Sequence, residues 1–126
     1  MGEFAKSFRD LDVYQESLVL SLEIHEFAKT LPTEERFVLA DQMRRASRSV
    51  PANISEAWRK RRYKAAFIAK LSDSETEASE MQCWLDFSLK AKFMTQTVYE
   101  DFDQRYERII AQLVTMIDGA DGWCRK

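Results

Sequence analysis

The chain has 126 residues, a length that suits one domain with one hydrophobic core. Hydrophobic residues make up 45% and charged residues 32%, a balance that excludes a disordered chain. No apolar run reaches the length of about 18 residues that a membrane span needs. With only 3 glycines and 2 prolines, the composition predicts an all-α fold of long helices and short connections.

The first predicted helix covers about residues 10–30 and ends before Leu31-Pro32, because a residue that precedes proline disfavours the helical conformation. Its apolar residues form two nearly opposite stripes at the helical period. One stripe consists of Leu11, Tyr14, Leu18 and Leu22, and the other of Val13, Leu20, Ile24, Phe27 and Leu31. One stripe suits a monomeric core, and the second needs a partner in the bundle or on a neighbouring chain.

The second predicted helix covers about residues 33–61, with Thr33 as its N-cap and acids in its first turn. Pro51 removes one amide donor and clashes with the carbonyl of Ser47, which predicts a kink or a break. The predicted buried stripe consists of Leu39, Met43, Ala46, Val50, Ile54, Ala57 and Trp58.

The third and fourth predicted helices cover about residues 63–92 and 95–118. Gly119 is predicted to end the last helix in the left-handed conformation. The predicted core faces are Phe67, Leu71, Ser74, Ala78, Met81, Leu85 and Leu89, and then Val98, Phe102, Ile109, Leu113 and Met116. Four such helices with short links predict one domain over residues 1–126, an antiparallel up-down four-helix bundle.

Apolar residues outside a single stripe predict that the protein is a homo-oligomer. The third helix carries a second patch of Trp84, Phe87 and Ala91, in addition to the two stripes of the first helix. A lone bundle of this size would leave much of this area in water. The alternative is that both stripes pack inside one bundle.

Positive charge is concentrated in the second helix. Residues 44–64 contain eight basic residues and one acid, a net charge of +7, and the rest of the chain carries −9. Arg44, Arg48, Arg59 and Arg62 would share one stripe of about 60° on a continuous helix. Arginine binds phosphate through a planar fork of donors. The predicted nucleic-acid-binding residues are therefore Arg44, Arg48, Arg59, Lys60, Arg61 and Arg62.

This basic stripe has a second interpretation. It can be a solvated helix face whose arginines pair with acids elsewhere, such as Glu75, Glu77 and Glu80. Tyr63 lies near the patch and can stack on bases, whereas Trp58 belongs to the predicted apolar stripe.

A polar stripe on the same helix is a second candidate site. It consists of Gln42, Arg45, Ser49, Asn53 and Glu56. If these groups were interior, they would have to bond to one another or to a neighbour. The stripe indicates a polar network at a subunit interface or, alternatively, a small binding site.

The sequence offers little for catalysis, and we expect no enzyme activity, metal or cofactor. His25 is the only histidine, and Cys83 and Cys124 fit no metal-ligand pattern, which indicates a reduced cytoplasmic protein. No glycine-rich phosphate loop or nucleophile elbow is present. Two acidic clusters, residues 73–80 and 100–103, are interpreted as solvated faces.

Three segments carry a family resemblance. Residues Phe8–Gln15 resemble the opening signature of the bacterial four-helix-bundle proteins encoded in intervening sequences of large-subunit ribosomal RNA genes. Residues Asp41–Glu56 resemble the central motif of that family, and Phe67–Phe87 its third helix. The chain departs from the family pattern where a glycine is replaced by Ala57 and where a Gly-Tyr turn reads Lys92-Phe93.

The resemblance implies a homopentameric barrel of four-helix bundles. It also implies kinship with the accessory variability determinant of diversity-generating retroelements, which binds nucleic acid and a reverse transcriptase. The resemblance brings no catalytic residues. We therefore predict a non-enzymatic oligomeric scaffold that contacts RNA or DNA phosphates. The alternative is a protein-binding adaptor, for example for a reverse transcriptase, without direct nucleic-acid binding.

Overall fold

Five α-helices and two 3-10 turns make up the regular structure of residues 5–124 in a computed structural model of the chain. The helices are α1 (Asp12–Ala28), α2 (Leu39–Arg59), α3 (Lys64–Lys90), α4 (Gln96–Asp118) and the short α5 (Ala120–Trp123), and the 3-10 turns are Phe8–Asp10 and Thr33–Glu35. Each long helix packs on the next along the chain, and α1 also packs on α4. The predicted four long helices are confirmed, and the predicted domain extends at both ends beyond the described residues.

The start of α2 was predicted wrongly. Thr33 is not its N-cap, because residues Thr33–Glu35 form a separate 3-10 turn and α2 begins at Leu39. The backbone leaves the helical conformation at Val38, with φ −121° and ψ −89°. The Glu35 carboxylate accepts a hydrogen bond of 3.3 Å from the Leu39 amide. A side chain from the preceding turn therefore satisfies one of the free amides at the start of α2.

Pro51 does not break α2, which continues through it to Arg59. Ser74 of α3 is fully buried at this level and donates a 2.9 Å hydrogen bond to the Val50 carbonyl. A small side chain at this position lets α3 approach the α2 backbone closely. The contact between α2 and α3 is the most extensive in the fold.

The α2 core stripe was predicted correctly, since all seven of its residues are buried. In α1 the stripe that contains Val13, Leu20 and Ile24 is buried, whereas Leu18 and Leu22 of the other stripe are 40% and 60% exposed. The α4 prediction was wrong at Val98, which is exposed because it lies in the first turn of the helix.

Tyr106 of α4, which was placed beside the core, is instead fully buried. Burial raises the pKa of its phenol, and its hydroxyl has no hydrogen-bond partner among the described residues. A phenol at this site is therefore kept neutral, because the interior disfavours its charged form.

The C-terminal ends of α3 and α4 differ in backbone conformation. Lys92 follows α3 with a positive φ of 65°, and the amides of Lys92 and Phe93 donate to the carbonyls of Leu89 and Ser88. This hydrogen-bond pattern is a Schellman motif with lysine in the position that favours glycine. Gly119 was predicted to be left-handed, but its φ is −96°, because α5 begins at the next residue and the chain stays helical.

Candidate nucleic-acid interface

The five predicted polar residues lie on the edge of α2 that faces α3, which we call the paired edge. Arg45 donates to Glu77 at 3.0 Å and forms a second ion pair with Glu80. These hydrogen bonds raise the pKa of the Arg45 guanidinium. Further along the same edge, Glu56 pairs with Lys70 at 3.2 Å. The charges of the paired edge are therefore compensated within the chain.

Two smaller side chains of the paired edge bond to their own helix. The Ser49 hydroxyl donates to the Arg45 carbonyl at 2.8 Å, and the Asn53 amide donates to the Ser49 carbonyl at 2.9 Å. Gln42 is exposed at the start of the edge. The paired edge is thus a seam between α2 and α3 rather than an interior layer, and a role between subunits stays a prediction.

The other cations of this segment lie beside the paired edge on the exposed face of α2, where Arg44, Arg45 and Arg48 line one groove, and beyond the end of the helix. We call Arg44, Arg48, Arg59, Lys60 and Arg62 the basic face. Arg59, Lys60 and Arg62 form no ion pair within the described residues, 5–124. Arg48 Nη2 lies 3.2 Å from His25 Nδ1 of α1, a nitrogen that accepts when the neutral ring carries its proton on Nε2. Most of this positive charge is therefore free to meet an external anion.

Arg44 is the most enclosed member of the basic face. Its side chain is 24% exposed, and Nη1 lies 3.9 Å from the Asp41 carboxylate, beyond hydrogen-bond distance. Its Nε is buried and has no partner among the described residues. The Arg44 guanidinium therefore keeps donor capacity that the described chain does not use.

The predicted single stripe of arginines was wrong at Arg62. The helix ends at Arg59, and Lys60, Arg61 and Arg62 form a turn before α3, so Arg62 does not continue the helical stripe. Arg61 is held against the core, because its Nε donates to the Trp58 carbonyl at 3.0 Å and its Cζ lies 3.5 Å from the Trp58 ring centroid. These two contacts with Trp58 give Arg61 a structural role at the end of α2.

The basic face is long enough to lie along several phosphates of a nucleic-acid strand. From Arg44 to Arg59 it extends for about 22 Å, at the helical rise of 1.5 Å per residue. The aromatic residues near it differ in their exposure. Trp58 is buried in the core, as predicted, whereas Tyr63 is 63% exposed at the end of the basic turn. A basic surface with an exposed aromatic side chain can bind phosphates and stack on a base.

A cavity of about 320 Å³ at the corner between α1 and α2 adjoins Arg44. We call it the corner cavity; it is lined by Ala28, Lys29, Leu31, Thr33, Arg36, Ala40 and Arg44. The sequence analysis missed Lys29 and Arg36, because they lie before the basic segment and join Arg44 only through the turn at residues 33–35.

The acidic clusters do not form a recognisable metal centre. In residues 5–124, no three His, Cys, Asp or Glu side chains are placed to hold a metal ion. Glu77 and Glu80 of the first cluster are used by Arg45. In the second cluster, burial raises the pKa of Asp103, which accepts from Gln82 at 3.2 Å. None of the described helices is both long and apolar enough to span a membrane.

Comparison with known proteins identifies the family. Residues 9–115 match the family described as 23S rRNA-intervening sequence protein. A solved structure from Bacteroides thetaiotaomicron, a protein of unknown function from the S23 ribosomal protein family, is 31% identical with a TM-score of 0.76. The match covers 83% of this chain and 97% of that one. No curated protein sequence matches. The chain therefore belongs to the 23S rRNA-intervening sequence protein family.

Proposed function

We propose that the protein is a non-enzymatic, oligomeric scaffold that binds the phosphate backbone of RNA or DNA through the basic face. One observation carries the proposal. Arg45 on the paired edge is held by two carboxylates, whereas Arg59, Lys60 and Arg62 have no ion pair within the described part of the chain. Within the described residues, the segment therefore contains cations that no carboxylate neutralises.

Free surface arginines suit phosphate for two physical reasons. Their guanidinium groups bind phosphate oxygens with paired donors, and each neutralised phosphate releases condensed counterions. No ion pair within residues 5–124 has to break before Arg59 or Arg62 contacts a phosphate. The basic face also runs for about 22 Å, far enough to meet several phosphates of one strand. Tyr63 would add a stacking surface at its end.

Self-association would multiply this contact, and the exposed stripe of α1 supports it. Leu18, Val19 and Leu22 lie exposed on neighbouring turns of α1, and Phe87 is exposed on α3. A second copy is the partner that we propose for these apolar side chains. The family resemblance favours five copies, each an up-down bundle. Symmetry would then repeat the basic face around the assembly and strengthen its field.

The proposed nucleic-acid contact is tested by charge reversals on the basic face and on the paired edge. Fluorescence anisotropy with labelled RNA and DNA at low salt would compare wild type, Arg48→Glu/Arg59→Glu and Arg45→Glu. We expect the double variant to lose about tenfold or more in affinity, and Arg45→Glu to lose much less. Equal affinities for wild type and the double variant would end the proposal.

Sedimentation of the purified protein tests self-association separately. Leu18→Glu/Leu22→Glu places two charges in the exposed α1 stripe, and we expect it to dissociate the oligomer. Gln104→Glu, an exposed site on α4, is the control that should leave assembly unchanged. A monomeric wild type would refute the oligomer and leave the charge test standing.

An adaptor role is the second candidate, and the apolar α1 stripe also favours it. A protein partner such as a reverse transcriptase could cover Leu18 and Leu22 in place of a second copy. Two results together would favour this role. Charge reversal on the basic face would leave nucleic-acid affinity unchanged, and a purified reverse transcriptase would bind a monomeric wild type but not the Leu18→Glu/Leu22→Glu variant.

A further inference from the structure

The corner cavity gathers three cations and has no carboxylate in its lining. Lys29 comes from the end of α1, Arg36 from the turn after the 3-10 segment, and Arg44 from the second turn of α2. Three positive side chains that converge without a central counter-charge repel one another. Such an arrangement is stabilised when an anion occupies it.

Two of the three cations that line the corner cavity lie near a carboxylate. Lys29 pairs with Glu26 at 2.9 Å on the exposed side of α1, and Asp41 is 3.9 Å from Arg44. Arg36 has no ion pair among residues 5–124, and its Cζ lies 5.7 Å from the Phe37 ring centroid. Arg36 is therefore a lining cation that no carboxylate of residues 5–124 pairs with, since the Glu35 carboxylate accepts from the Leu39 amide.

The floor of the corner cavity is apolar. Ala28, Leu31 and Ala40 are all buried beneath the cations. A charge beside such a floor is less screened than one on an open helix face. The buried Nε of Arg44 lacks a partner among the described residues, and a buried donor gains most from a charged acceptor. These features distinguish the cavity from an ordinary basic surface.

Phe37 selects the kind of anion. It is 77% exposed, and its ring centroid lies 5.7 Å from Cζ of Arg36, which lines the cavity. A nucleobase is a flat partner of matching size, and stacking on an aromatic side chain is worth about 1–3 kcal/mol per base. A phosphate in the cavity and a base on Phe37 together describe a nucleotide.

We infer that the corner cavity binds the phosphate of a nucleotide, with Lys29, Arg36 and Arg44 as its ligands and Phe37 as the stacking surface for the base. The nucleotide can be free or part of a single strand, and these two sources share the same chemistry. The site goes beyond the proposed backbone contact and shares only Arg44 with the basic face, because Lys29 and Arg36 lie outside that face.

Calorimetric titration of the full chain tests this site with inorganic phosphate, AMP and a single-stranded oligonucleotide. Lys29→Gln/Arg36→Gln removes two exposed cations, and Lys90→Gln/Arg108→Gln, two exposed cations outside both proposed sites, is the matched control of equal charge change. We expect AMP to bind once per chain and the first variant to weaken it by about tenfold or more. The control variant should leave AMP affinity unchanged.

Each further outcome has a defined meaning. If AMP does not bind but Lys29→Gln/Arg36→Gln still lowers the affinity for the oligonucleotide, the natural ligand is a nucleotide within a single strand. Phe37→Ala should lower the affinity for AMP and leave the affinity for inorganic phosphate unchanged. If this variant binds AMP as tightly as wild type, Phe37 is not the stacking surface. If Lys29→Gln/Arg36→Gln changes none of the three titrations, the site does not exist, whatever the basic face does.

Discussion

The two sides of α2 carry the same kind of residue in different surroundings. Arg45 faces α3 and is neutralised by Glu77 and Glu80, whereas Arg48 faces α1, forms no ion pair within residues 5–124 and lies 3.2 Å from the imidazole of His25. The difference arises from the neighbouring helix rather than from α2 itself. An arginine-rich segment therefore becomes a candidate binding surface only where the fold leaves its charges uncompensated.

Overpacking the seam between α2 and α3 should have the largest effect on stability. Ser74→Leu places a large side chain against the α2 backbone at Val50 and removes the buried hydrogen bond. We expect a loss of about 2 kcal/mol in the free energy of unfolding, measured by urea denaturation. Ser72→Leu on the exposed side of α3 is the control, and an equal loss there would contradict the close contact at Ser74.

Reversing one charge on each side of α2 sharpens the comparison directly. Arg45→Glu sets a third carboxylate beside Glu77 and Glu80, and we expect a loss of about 1 kcal/mol in unfolding free energy, since the site is half exposed. Arg48→Glu should change stability by no more than about 0.5 kcal/mol. Denaturation at low salt measures both. Equal losses would show that the two sides are not electrostatically different.

Lys92→Gly should raise stability without touching either side of α2. Lys92 has a positive φ of 65°, which glycine adopts without steric cost. We expect a gain of about 0.5–1 kcal/mol in unfolding free energy, part of it offset by the entropy of glycine in the unfolded chain. Nucleic-acid affinity should stay the same. A parallel rise in affinity would mean that binding follows stability rather than the basic face.

The pair of Glu23 and Arg105 should produce the smallest effect. The Arg105 hydrogen bond lowers the pKa of Glu23 below its ordinary value of 4.5. This stabilisation is therefore present above that ordinary pKa and is lost as the pH falls through the lowered one. Glu23→Gln should cost at most about 0.5 kcal/mol at neutral pH, because the pair is partly exposed. The difference from wild type should vanish in acid, and a constant difference would exclude the pair as its cause.

The sequence predicted the apolar layer of the fold well and its polar layer less well. The α2 stripe follows the helical period without interruption, so its burial could be read from spacing alone. The family resemblance was confirmed as well. The start of α2 could not be predicted, because it depends on the Glu35 cap and on a non-helical Val38.

The pairing of the arginines was beyond the reach of sequence reasoning. Arg45 finds its carboxylates 32 and 35 residues later in the chain, and only the packing of α3 selects it over Arg48. The candidate stripe therefore mixed free cations with Arg61, which is held against Trp58. The corner cavity could not be predicted from sequence either, because its three cations are distant in sequence and the turn between α1 and α2 brings them together.

The salt dependence of RNA affinity tests the central claim most directly. For wild type, the logarithm of the association constant should fall steeply and linearly with the logarithm of salt concentration. Arg48→Gln/Arg59→Gln should flatten that slope by about 1.5, the equivalent of two lost phosphate contacts, whereas Arg45→Gln should leave it nearly unchanged. Identical slopes for all three proteins would contradict the claim that the uncompensated side of α2 meets the phosphates.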